Sequence, residues 1–146
     1  MRNLLIVLSG AALLAFSQHP APGMQQGCEA REIRPGKEKG MQERFFAAPL
    51  AKVKEEMINA LAALEFEVKK DKGSLIEAKK RRRIGVFVGS GGEKIVIQFA
   101  EAEQDGKLGT RVIAETKKGL MGRVGQKSWS SAVLDKTECL LQVRPS

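Results

Sequence analysis

The chain has 146 residues, of which 42% are hydrophobic and 29% charged, and a formal net charge of +8 at pH 7. That length suggests one domain. Its only histidine, His19, precedes every predicted element, so Ser-His-Asp or Cys-His catalysis inside the fold is excluded, and two lone cysteines make no metal-ligand cluster.

Residues 1–17 read Met-Arg-Asn, then an apolar run over 4–16. The run is shorter than the roughly 20 apolar residues a bilayer span needs. One positive charge precedes it and Ala15-x-Ser17 closes it, the order of a secretory signal peptide. Cleavage is expected after Ser17; an uncut membrane anchor is the competing reading. Residues 18–41 mix Pro, Gly, Gln and charge, as a flexible linker does. Cys28 lies there, with three open fates. It can bridge to Cys139 in an oxidising compartment, stay free, or carry a lipid, for which Gly27 fits but Gln25 and Gln26 do not.

Residues 42–47 are predicted as a first strand. Pro49 then opens a helix near its first position, where a missing N–H costs nothing. Leu50, Val53, Met57, Leu61 and Leu64 give it one apolar stripe. Phe66 and Val68 alternate with charged neighbours as a second strand. Asp71-Lys72-Gly73 turns the chain into a third strand over 74–78. Residues 84–88 are a strand or an ordered loop. Residues 94–102 alternate up to Asp105-Gly106, a tight-turn signal. With Gln104 opposite Lys107, Ile95, Ile97 and Phe99 face Thr116, Ala114 and Val112 on an apolar side, and the other side is mixed. A closing helix spans 128–142, with Ser128 as N-cap and Trp129, Ala132, Val133, Leu140 and Leu141 as a stripe that Lys136 and Thr137 interrupt. The order β-α-β-β-(β)-β-β-α predicts an α+β, two-layer sandwich over 42–143, a mostly antiparallel sheet with two helices on one face.

The positive charge is local. Lys79, Lys80, Arg81, Arg82 and Arg83 form one run, and Lys117, Lys118, Arg123 and Lys127 mark a glycine-rich loop. Outside these runs and the signal segment the chain is slightly acidic. Gly122-x-x-Gly125-Gln126-Lys127-Ser128, between a strand and a helix, has the setting of a phosphate-binding loop. Gln126 stands where the lysine must follow the last glycine, so nucleotide hydrolysis is rejected. An anion held by the helix start, with Lys127, Ser128 and Arg123 nearby, survives beside a purely structural turn. Glu101 and Glu103 share a strand face next to an exposed turn and lack the desolvation that acid–base work needs. No aromatic interleaves the 79–83 run, which disfavours nucleic acid.

Phe45-Phe46, Pro49, Leu61-x-x-Leu64-x-Phe66-x-Val68 and Gly73-x-Leu75-Ile76, followed by a hairpin and a closing helix, resemble small bacterial envelope domains of the BamC-like type. The resemblance covers roughly 44–141 and is topological, so it carries over no functional residue. It implies a scaffold or accessory role in the envelope, and the lipobox of such lipoproteins is not reproduced around Cys28. The expectation is an exported, periplasmic or secreted protein that is not an enzyme and uses no cofactor. It would bind anionic lipid, lipopolysaccharide or an acidic envelope polymer through 79–83 and 117–127. The alternative is a structural accessory that meets envelope proteins through its sheet face or edge.

Overall fold

The structure is a computed structural model and describes residues 27–30, 32–37, 40–81, 92–117 and 127–144. The signal segment 1–17, the strand expected over 84–88, and Arg82, Arg83, Lys118 and Arg123 lie outside the described residues. The elements are α1 (Gly27–Ala30), β1 (Met41–Phe46), α2 (Leu50–Ala63), β2 (Phe66–Asp71), β3 (Leu75–Lys80), β4 (Lys94–Gln104), β5 (Lys107–Lys117) and α3 (Ser130–Val143). The strands form one antiparallel sheet in the order β1-β5-β4-β3-β2. This is the α+β sandwich expected from the sequence.

The β4–β5 hairpin carries the expected register, with Gln104 opposite Lys107 and Ile95, Ile97 and Phe99 opposite Thr116, Ala114 and Val112. Its turn residues Asp105 and Gly106 have φ of 53° and 72°. Positive φ at both central positions matches the turn twist to that of the strands. Helices α2 and α3 pack on each other and on the face that carries Ile95, Ile97, Val112 and Ala114. Each of those four side chains is fully buried. The opposite face carries Glu43, Lys94, Gln98, Ala100 and Arg111, all exposed, and no described element lies on it.

Strand β1 is seated by Gly109 on its neighbour β5. A Cβ at Gly109 would meet the Phe46 carbonyl oxygen and lie 2.6 Å from the Phe45 ring. The edge strand is tied to the helix layer by Arg44, whose guanidinium reaches Asp135 at 2.7 Å and Glu138 at 3.1 Å on α3. Thr110, fully buried, donates to the Ala48 carbonyl at 2.9 Å and fixes the entry to α2.

Three expectations need correction. Strand β3 runs to Lys80 rather than ending at Ala78, so the basic run begins inside the sheet. Helix α3 starts at Ser130, and Ser128 does not cap it. Instead Ser128 exchanges two backbone hydrogen bonds of 2.9 Å with Gly36, while the Trp129 N–H donates to Thr116 Oγ1 at 2.9 Å. Lys136 and Thr137 are not surface interruptions of the α3 stripe. Both are buried, Thr137 against Met57 of α2 and Lys136 because α3 is covered on a second side.

That second cover comes from the stretch read as linker. Cys28 is bridged to Cys139, with Cα atoms 5.7 Å apart, a separation a disulfide spans readily. The Lys136 ammonium donates to the Cys28 carbonyl at 2.6 Å. With the Gly36–Ser128 bonds, residues 28 and 36 are fastened to opposite ends of α3 as a strap. Ala132, Lys136 and Cys139 recur at four- and three-residue steps and so share one stripe of the helix; all three are buried. A sulfur held in this bridge is not available for lipid attachment.

Candidate functional site

The residues named from sequence separate in space. Lys79 lies on the outer sheet face, because its neighbours Ala78 and Lys80 point to the helix layer. Its cross-strand partner is Lys94, whose partner on the next strand is Lys117. Paired residues of neighbouring antiparallel strands project to the same face. Lys79, Lys94 and Lys117 therefore form a row across β3, β4 and β5 at one end of the sheet. Lys117 has a loose ion pair with Glu115 at 3.8 Å. Lys79 and Lys94 have no ion-pair partner among the described residues. Arg81 continues past Lys79 on the same side, exposed, and its N–H donates to the Glu65 carbonyl at 2.9 Å.

Carboxylates bound the row. Glu67 stands opposite Lys79 on edge strand β2. Its hydrogen bond with Lys69 holds the Glu67 carboxyl below its ordinary value, and the charge of Arg81 adds a smaller pull. Two residues along the strands, Glu77 and Glu115 flank Val96 in the next outward-facing row. A shallow cleft of about 480 Å³ lies over Glu67, Lys69, Lys79, Lys80 and Arg81.

Two sequence candidates leave the surface set. Lys80 turns under the sheet, its ammonium 3.9 Å from the Trp129 ring centroid and 5.1 Å from that of Phe66. It also donates to the Leu64 carbonyl. A cation stacked on two aromatic rings and bonded to a helix-end carbonyl is structural. Ser128 is 4% exposed and its hydroxyl has no hydrogen-bond partner among the described residues; it cannot meet an external anion. Lys127 is exposed. Lys94 was not among the sequence candidates, although the hairpin register alone sets it opposite Lys117.

The chain matches no protein-family model and no curated protein.

A larger cleft of about 590 Å³ opens at the other end of the sheet, where Lys52, Lys107 and Arg144 meet Asp105, Glu138 and the Phe45 side chain. Its charges are balanced. Lys52 and Arg144 approach Glu56 at 3.4 and 3.7 Å, and Glu56, fully buried on α2, also accepts from Asn59 at 3.1 Å. Among the described residues no group of His, Cys, Asp and Glu could hold a metal ion, and no helix is long and apolar enough to cross a membrane. Glu101 and Glu103 are exposed on the hairpin arm.

Proposed function

We propose that this is an exported, non-enzymatic protein of the bacterial envelope that binds an anionic partner through the cationic end of its sheet. The observation that carries the reading is the in-register row Lys79–Lys94–Lys117. Like charges placed directly opposite one another on adjacent strands destabilise a sheet, and a row of three is more than solubility requires. Arg81 and Lys127 add to the same reading, and by sequence Arg82, Arg83, Lys118 and Arg123 belong to the connecting segments next to the row. The Cys28–Cys139 bridge supports export, because stable disulfides belong to oxidising compartments.

The test is sedimentation of the protein, from residue 18 onward, with vesicles containing anionic lipid and with lipopolysaccharide. Retention should fall as salt rises, since exposed charges are screened over about 8 Å at physiological ionic strength. It should also fall in Lys79→Gln/Lys94→Gln/Lys117→Gln. Equal retention of that variant removes the row from the mechanism.

A second reading has its own observation. The outer sheet face bears Leu75, Val96 and Ile113, half-buried between charged neighbours, with no described element above them. That favours an accessory role in an envelope protein assembly, as the BamC-like resemblance implies. Specific protein partners retained at high salt would support it over the anionic partner.

A further inference from the structure

We propose that the row receives a linear, phosphate-bearing polymer lying across the strands, rather than the plane of a lipid bilayer. The inference rests on the anionic-partner reading and narrows it. Neighbouring strands are about 4.8 Å apart, so three in-register lysines make a line about 10 Å long, perpendicular to the strands and one residue wide. The next row on the same face holds Glu77 and Glu115, about 7 Å away along the strands. That is within one Debye length at physiological salt, so these carboxylates are felt by anything laid flat on the face. Glu67 closes the β2 end of the line. An anionic plane pressed on this face meets Glu77, Glu115 and Glu43 together with the lysines. A chain that follows the row lies along the lysines and meets Glu67, beside Arg81, only at its β2 end. A phosphodiester polymer and a polyphosphate share this chemistry.

The experiment uses inorganic polyphosphate and phosphatidylglycerol vesicles as probes, at equal phosphate concentration. Three proteins are compared: the wild type, Lys94→Gln at the centre of the row, and Lys72→Gln in the exposed β2–β3 turn at the opposite end of the sheet. The two variants carry the same net charge. Polyphosphate should raise the wild-type melting temperature and bind more tightly than the vesicles. Lys94→Gln should weaken polyphosphate binding about fivefold and flatten its salt dependence by about one logarithmic unit. Lys72→Gln should stay within about twofold of the wild type. Without ligand, Lys94→Gln should melt no lower than the wild type, because it removes a like-charge opposition; weaker binding then has no origin in misfolding. Equal losses in both variants would show diffuse charge attraction and overturn the proposal. So would tighter binding to vesicles than to polyphosphate. If neither probe binds at low salt, the anionic-partner reading itself falls.

Discussion

The Lys136 ammonium donates to the Cys28 carbonyl at 2.6 Å from a position only 9% exposed. A buried cation bonded to a neutral carbonyl is worth more than an ordinary hydrogen bond, about 1.5–3 kcal/mol. Lys136→Ala should lower stability by about 2 kcal/mol, and hydrogen exchange should speed up at 27–30 while the β4–β5 amides stay protected. Global loss of protection would show that the strap is part of the core rather than laid over it.

The disulfide closes a sequence separation of 111 residues. On the chain-entropy account such a loop is worth about 4–5 kcal/mol. Cys28→Ser/Cys139→Ser should lower the unfolding free energy by up to that amount, with the denaturant slope equal or steeper because the freed unfolded chain exposes more surface. A change below about 1 kcal/mol, the size of experimental scatter, would show that the strap is held by its hydrogen bonds alone.

Gly109 is fixed by space. A side chain there must displace the Phe45 ring and the Phe46 backbone together. Gly109→Val should cost about 1–3 kcal/mol, the range of an overpacked site, and near-ultraviolet circular dichroism should change as the Phe45 ring moves. Wild-type stability in this variant would mean that β1 is not seated as described.

Glu56 poses the opposite problem. It is fully buried, yet its partners Lys52 and Arg144 have side chains 26% and 59% exposed. Removing the carboxylate returns two cations to water instead of stranding them. Replacing a buried ion pair by an apolar residue of similar size is often neutral or stabilising. Glu56→Leu should therefore leave the denaturant midpoint unchanged or raised. A loss above about 3 kcal/mol, the usual result of breaking a buried pair, would show that the cations depend on the carboxylate after all.

Asp71 links the β2–β3 turn to α2. The Lys54 hydrogen bond, at 2.5 Å, is the main cause that holds its carboxyl below the ordinary value of 3.8, and the Gly73 N–H adds a smaller pull. A carboxyl depressed in the folded state contributes stability that is present above the unfolded value and is lost as pH falls through the folded one. Between neutral pH and pH about 2, the wild type should lose more stability than Asp71→Asn, with the difference confined to the range below about pH 4. Parallel acid curves would remove the link.

The sheet and both long helices were legible because local chemistry and pattern agreed. Asp105-Gly106 set the β4–β5 register, and the apolar alternation confirmed it. What escaped was polar chemistry on buried faces. Lys80 counts as a break in an apolar pattern, yet it fills an inward position because Trp129, Phe66 and the Leu64 carbonyl receive its charge. Thr137 does the same by donating its one hydroxyl hydrogen to the Val133 carbonyl at 2.8 Å, with Met57 Sδ in contact at 3.3 Å. The surface row was hidden for a different reason. The hairpin register pairs Lys94 with Lys117, but Lys79 joins them only through the β3–β4 pairing, which no turn residue between those strands announces.

The bridge also sets an order of events. Cys28 precedes all five strands and Cys139 follows them. The bond can therefore close only on a chain that already carries every strand. A polypeptide interrupted before α3 keeps Cys28 without its partner, and one that has closed the bridge does not. The covalent tie thus reports that both flanks of the sheet have been brought together, which a thiol-reactive label can read.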